Sequence, residues 1–263
     1  MGEKYMLHCN SIPELIFRDS SSFSQKNETS VLLFFQKEIL RPDTLLFCLT
    51  ENELQRYHHY YFQKDKYNFL WGRFCVKSVV NQWYHIDLAD IEIVQQDSHN
   101  KPFIDLHNHQ FFFNISHTSD IVAVAVSSSD EVGIDIEAGA NTKGFRLVMN
   151  SYFTENEKYV ILNSASPENV FKQIWSRKEA VVKLLGGQLL DQIKSFDVSK
   201  ESYIFEEKLI PLQPDIIYLH SFELGENVSG CVANTEKNKE ISFYLVDNDM
   251  IRLWSERLKT RLT

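Results

Sequence analysis

Apolar residues change period several times along the chain, and each change marks an element. From Glu51 to Tyr84 they recur at helical spacing: Leu54, Tyr57 and Tyr61, then Phe69, Leu70, Phe74, Val76, Val79, Val80 and Trp83. This predicts two helices facing a core. Short β-branched or aromatic runs follow: IEIV at 91–94, FFFNIS at 111–116, IVAVAV at 121–126 and VGIDIE at 132–137. These predict strands. Phe145, Val148, Met149 and Tyr152 return to helical spacing. A further helix is marked at both ends, by Ser166 as N-cap, Pro167 at the first helical position and Gly186-Gly187 as terminator. Strands are again predicted by DIIYL at 215–219, VSGCVA at 228–233 and ISFYLV at 241–246. Ile251, Trp254, Leu258 and Leu262 then share one face of a packing helix. Near the start, VLLFF at 31–35 reads as a buried strand, and the serine-rich 18–30 segment as a loop. No sequence-level repeat is evident. The order helices, strands, helices, strands predicts an α+β protein with two similar layers.

Composition narrows the function classes. The chain has 263 residues, 43% hydrophobic and 24% charged, which is globular and excludes a fibre or a disordered tail. At roughly 100–200 residues per domain, that length lies between one large domain and two small ones. Its net charge of −9 argues against general nucleic-acid binding, which needs clustered Lys and Arg. A local basic pocket for one phosphorylated ligand stays open. Cys9, Cys48, Cys75 and Cys231 form no CxxC pair, so they read as buried, reduced thiols. No signal peptide is visible, and no stretch approaches the ~18–20 apolar residues of a membrane span. The expectation is a cytoplasmic protein away from membranes.

Four groups of residues could carry chemistry. In Gly133-Ile134-Asp135-Ile136-Glu137, strand alternation puts the two carboxylates on one face and the two isoleucines on the other. Such a face is either solvated or shared with a cation, because adjacent carboxylates repel. On the capped helix, Trp175, Glu179 and Lys183 recur at i, i+4 and i+8 and share a face. Alone, Glu179 and Lys183 are equally a surface ion pair. Together Asp135, Glu137 and Glu179 offer three hard oxygen ligands beside a lysine, which suits Mg²⁺ on a diphosphate. Ser116-His117, ending a strand, is no nucleophile–base pair, since extended neighbours face opposite sides. His117 as an anion contact and as a structural histidine are both open. Lys101-Pro102 is a stiffened loop carrying a lysine. The histidines at 99, 107 and 109 fit no strong zinc spacing. No Walker A sequence and no GxGxxG occurs.

In chain order these elements are Gly72-Arg73, Lys101-Pro102, FNISH at 113–117, GIDIE at 133–137 and WSRKEAVVKLLG at 175–186. The series resembles the Sfp-type 4′-phosphopantetheinyl transferase family, from about Thr50 to about Val198. The step of 44 residues from Asp135 to Glu179 also resembles the family's. The resemblance implies an enzyme that moves the phosphopantetheine arm of coenzyme A to a serine of an apo acyl or peptidyl carrier protein, releasing 3′,5′-ADP. It implies that Asp135, Glu137 and Glu179 bind Mg²⁺ and that Lys183 lies against the same phosphates. Ser116 and His117 would contact the ADP portion, Lys101 and Pro102 would line the nucleotide pocket, and Lys178 would help hold the phosphates. Glu179 and Lys183 are the expected catalytic residues, Glu179 as base. The chain departs from the family where Asn100 replaces a glycine, where the terminating glycines read Gly186-Gly187-Gln188, and where upstream basic positions read Glu53, Arg56 and Asn68. Arg56 and Arg73 are the remaining candidates for the 3′-phosphate.

The same resemblance implies two similar α/β half-domains with pseudo-twofold symmetry, 1–132 and 133–263, and an active site completed within a monomer. Residues 1–45 form an unassigned extension. The competing expectations are a catalytically silent relative that binds coenzyme A or a carrier protein, and a metal-dependent pyrophosphohydrolase. Nonribosomal peptide, polyketide, siderophore and fatty-acid carriers all remain open as partners.

Overall fold

The structure is a computed structural model. It describes residues 7–8, 29–35, 42–95, 101–106, 110–118, 120–139, 144–187, 191, 193–200, 202–204, 216–225, 227–237 and 239–259. The histidines at 99, 107 and 109, Asn100, Gln188, Cys9 and most of the serine-rich 18–30 segment lie outside the described residues. Among the described residues, eleven strands and six α-helices fall into two compact units. One comprises residues 1–16, 95–101 and 130–240, the other 17–94, 102–129 and 241–263.

In the unit of 17–94, 102–129 and 241–263, β2 (Thr29–Phe35), β3 (Ile93–Gln95), β4 (Pro102–Asp105), β5 (Gln110–His117), β6 (Ile121–Ser127) and β11 (Ile241–Leu245) form one sheet. Its order is β11-β2-β6-β5-β4-β3. β11 runs parallel to β2, and β2, β6, β5 and β4 are mutually antiparallel. The VLLFF run explains why β2 is interior: Val31, Leu32, Leu33 and Phe34 are fully buried, each contributing about 1.5–3 kcal/mol of transfer free energy. The N-terminal extension therefore supplies a core strand to this sheet, and Thr29 and Ser30, expected in a loop, belong to that strand. The helices are α1 (Glu51–His59), α2 (Gln63–Tyr84) and the tail helix α6 (Asn248–Lys259). A capping box starts α1: Thr50 Oγ1 accepts from Glu53 N, and Glu53 Oε2 accepts from Thr50 N at 3.0 Å. His85, left-handed at φ 58°, ends α2. Trp71 and Phe74 of α2 sit in a core with Phe34, Val124 and Phe113, and Trp254 of α6 packs edge-on to Phe74.

In the other unit, β1 (Leu7–His8), β7 (Val132–Ala138), β8 (Ser202–Ile204), β9 (Ile216–Leu224) and β10 (Val228–Asn234) form an antiparallel sheet. Its path is β1-β9-β10-β7, with β8 also on β9. Helices α3 (Phe145–Tyr152), α4 (Glu155–Leu162) and α5 (Pro167–Leu184) belong with it. The expected start of α5 holds in position, although Ser166 makes no side-chain cap bond. Gly186 and Gly187 adopt φ 65° and 82° just beyond its end, as a helix terminator requires. α4 is a helix that hydrophobic spacing missed. It opens on a second capping box, Thr154 with Glu157.

Both units are mixed α and β, as expected. A single cut at 132/133 does not describe them. β11 pairs with β2, so residues 241–263 fold with the unit that holds α2 and not with the expected 133–263 half. The expected absence of repeats also needs correction. Thr-Glu-Asn-Glu occurs at 50–53 and again at 154–157, and both copies make the same capping box.

Candidate active site

The carboxylate row is built where α5 crosses β7. Gly133 makes that crossing close. A Cβ there would stand 2.1 Å from the Ala180 carbonyl oxygen and 2.7 Å from the Leu184 nitrogen, so only glycine lets the helix backbone rest on the strand. Asp135 and Glu137 follow at the two-residue period on the same face of β7. Glu179 and Lys183 stand on α5 beside Ala180 and Leu184. The expectation of a solvated strand face fails for Asp135, which is buried, and Glu137 is half-buried. Ile134 and Ile136 are buried on the opposite face of the strand.

Lys183 Nζ donates to Asp135 Oδ1 at 2.6 Å. The three carboxylates feel one another. Burial, then the charges of Asp135 and Glu179, push the Glu137 carboxyl up to about 7, against the opposing pull of Lys183 and a hydrogen bond from Trp175. Burial and then Asp135 likewise raise Glu179, with Lys183 again opposing. Trp175 is held in an aromatic stack with Phe171 (rings 5° apart) and Phe153 (17°), which fixes the indole that reaches Glu137. Among the described residues, no three His, Cys, Asp or Glu side chains form a ready-made cage for a metal ion. Mg²⁺ needs no such cage, since it keeps several waters and takes phosphate oxygens beside one or two carboxylates. Hard, mutually repelling carboxylates offset by one ammonium fit that ion.

Two expected contacts have other partners. Lys178 is fully buried, and its Nζ donates to the carbonyls of Ile193 and Phe196, each at 2.7 Å, and pairs with Glu157 at 3.0 Å. It anchors α5 to α4 and the 193–198 loop, so it is not a phosphate contact. One residue of α-helix turns the side chain by ~100°, which takes position 178 off the face of Glu179. Lys101 is buried too, and its Nζ donates to the Leu184 carbonyl at 2.8 Å and to Glu131 at 3.3 Å. It satisfies the end of α5. Ser116 is buried on β5.

The unit containing α2 has a cavity of ≈ 360 Å³ lined by Arg56, Arg73 and His117, by Asn68 and Asn114, and by Tyr60, Phe69 and Phe113; Pro102, Ile115 and Asp65 complete it. Pro102, His117, Arg56 and Arg73 thus line one cavity. Arg56 and Arg73 both lie over the Phe69 ring, at 5.4 and 5.0 Å. Gly72 lets α2 approach β5, since a Cβ there would meet Ile115 Cδ1 at 2.8 Å. Cationic groups around aromatic rings suit a phosphorylated ring system. Sequence reasoning missed Asp65 and Phe69 as lining residues. Their spacing to Arg73, at i, i+4 and i+8 on one helix face, was the available signal.

Comparison with known proteins decides the family. Residues 41–129 match the family described as 4′-phosphopantetheinyl transferase, N-terminal, and residues 131–222 match the 4′-phosphopantetheinyl transferase superfamily. The chain belongs to the Sfp-type 4′-phosphopantetheinyl transferase family. The first match covers the cavity and the second covers the carboxylate row. This transferase is 28% identical to 4′-phosphopantetheinyl transferase ffp of Bacillus subtilis over 206 residues, 76% of this chain and 89% of the relative. It is 28% identical to 4′-phosphopantetheinyl transferase Sfp of B. subtilis strain 168 over 203 residues, 74% and 86% of the two chains. It is 29% identical to 4′-phosphopantetheinyl transferase gsp of Aneurinibacillus migulanus over 188 residues, 70% and 76%. As a transferase of this family it moves 4′-phosphopantetheine to carrier proteins. Cys48, Cys75 and Cys231 are buried. Among the described residues, no helix is long and apolar enough to cross a membrane.

Proposed function

We propose that this transferase moves the phosphopantetheine arm of coenzyme A to a serine hydroxyl of an apo acyl or peptidyl carrier protein, with Mg²⁺, and releases 3′,5′-ADP. The observation that carries this reading is the coupled row of Asp135, Glu137 and Glu179 with Lys183 at 2.6 Å from Asp135. In the reaction the serine Oγ–phosphorus bond forms, the bond from phosphorus to the ADP phosphate oxygen breaks, and the serine proton must leave. Glu179 takes that proton; its raised proton affinity makes it a better base than an exposed carboxylate. Asp135, Glu137 and Glu179 would hold Mg²⁺. When bound, the ion neutralises the pyrophosphate and polarises the phosphorus under attack.

Lys183, at present on Asp135, has about a quarter of its side chain exposed, so it can turn to charge that develops on the departing phosphate. Arg56, Arg73 and His117 supply cationic and donor groups for the 3′-phosphate of coenzyme A, with Phe69 and Tyr60 as apolar surface for its base. Both family matches lie in one chain, which supports a monomer as the working enzyme. The test is labelling of an apo carrier protein by a tagged coenzyme A, with and without Mg²⁺. Mg²⁺-dependent labelling is expected. Binding of coenzyme A without labelling would favour a silent relative, and 3′,5′-ADP release without a carrier would favour a pyrophosphohydrolase. Either result overturns the proposal.

A further inference from the structure

We infer that Glu53 is a positioning residue that aims Arg73 into the cavity and is itself held by the buried Lys77. The inference rests on the reading that this cavity receives the 3′-phosphate of coenzyme A.

Three facts carry it. Glu53 Oε1 lies 3.2 Å from Arg73 Nε, and Glu53 Oε2 lies 2.7 Å from Lys77 Nζ. Lys77 is fully buried and also donates to the Cys48 carbonyl at 2.9 Å, so the carboxylate is fixed from behind. The Glu53 and Arg73 side chains are 12% and 11% exposed, which makes their pairing far less screened than a surface ion pair. Glu53 Oε1 lies against the Nε side of the guanidinium as a buried ion pair, without the geometry of a hydrogen bond. That leaves the two terminal nitrogens as the fork for an incoming phosphate, the bidentate geometry at which arginine is strongest. Phe69 beneath the guanidinium at 5.0 Å confines its plane.

The other unit supplies the control. Glu157 stands in the same Thr-Glu-Asn-Glu capping box and pairs with the buried Lys178 on the long helix. Its other oxygen accepts from the Val198 amide at 2.8 Å. Among the described residues, no arginine pairs with Glu157. The shared part, box and lysine, is structural. The contact that only Glu53 has is the one to a cation lining the cavity. This also accounts for an acid at a position where the resemblance leads one to expect a base.

The test compares coenzyme A with 3′-dephospho-coenzyme A as donors in carrier-protein labelling, reading the ratio of their kcat/KM values in the full-length chain. Wild type is expected to favour coenzyme A by about 30-fold or more, the scale of charge-assisted hydrogen bonds. Arg73→Gln should bring the ratio to within about 3-fold of unity. Glu53→Gln keeps an N3 residue able to close the capping box and should lower the ratio by about 5- to 10-fold, mostly through the KM of coenzyme A, with the kcat/KM for 3′-dephospho-coenzyme A little changed. Glu53→Asp keeps the charge beside Lys77 but not the reach to Nε. It should lower the ratio likewise and serves if the glutamine variant does not fold. If wild type and Arg73→Gln behave as stated but both Glu53 variants keep the wild-type ratio, the inference is overturned and the function stands. If wild type does not discriminate between the donors, the cavity does not read the 3′-phosphate, and both fall.

Discussion

The long helices α2 and α5 are secured alike and used differently. Each carries a fully buried lysine, Lys77 or Lys178, paired with the glutamate of a Thr-Glu-Asn-Glu capping box. Each lies close on its sheet through a glycine. In one unit the glycine is on the helix, and Gly72 faces a side-chain tip. In the other it is on the strand, and Gly133 faces helix backbone. The chemistry sits next to each glycine: Arg73 beside Gly72, Asp135 two residues after Gly133. The difference teaches that close helix–sheet packing is the shared device. What varies is whether it presents a cationic cavity or a carboxylate row.

The comparison can be broken most sharply at the glycines. Gly133→Ala would drive a methyl into backbone atoms that cannot rotate away, and should cost about 4 kcal/mol or more, or prevent folding. Gly72→Ala meets a rotatable isoleucine and gains about 1 kcal/mol of helix propensity, so its net effect should stay within about 1 kcal/mol. Urea unfolding of both variants measures this. Equal losses would show that the two approaches are equally tight.

The buried lysines come next. Lys178→Met leaves Glu157, fully buried, without its cation and should cost about 3–5 kcal/mol. Lys77→Met should cost less, about 1–3 kcal/mol, because Glu53 keeps Arg73 at 3.2 Å. Unfolding midpoints in urea decide the order, and the reverse order would contradict the pairing described.

The effect of pH concerns Lys101. Burial lowers its ammonium from 10.5 to about 8, against the pull of Glu131. Below pH 8 the folded state carries the full cost of a buried charge. Between about 8 and 10.5 the unfolded chain binds the extra proton, so stability rises with pH. Wild type should gain about 1–3 kcal/mol relative to Lys101→Met between pH 8 and 10. A flat difference would mean that Lys101 is not desolvated.

Much of this was legible beforehand, for identifiable reasons. β5, β6, β7 and β10 are short runs with strong β character, and their periods survive in the sheets. The carboxylate row was legible because strand period two and helix period four each place acids on one face. α4 was not, because its ENEKYVIL sequence lacks an apolar stripe; its capping box was the readable sign. Lys178 was misplaced because a motif lists neighbours that a helix turns ~100° apart. Lys101 was misplaced because its partner, the Leu184 carbonyl, lies 83 residues along the chain and no local pattern points to it. The role of 29–35 depended on pairing with β6 and β11, which is equally non-local.

The central claim is that the carboxylate row of β7 and α5 performs the transfer, with Glu179 as ligand and base. Single-turnover transfer of phosphopantetheine to an apo carrier protein, followed by mass analysis of the carrier, tests it in Glu179→Gln. The variant should fold with the wild-type unfolding midpoint or slightly above it, since a repelled carboxylate is removed, and transfer should fall by about 10³-fold or more. Transfer at near wild-type rate in that variant would contradict the account.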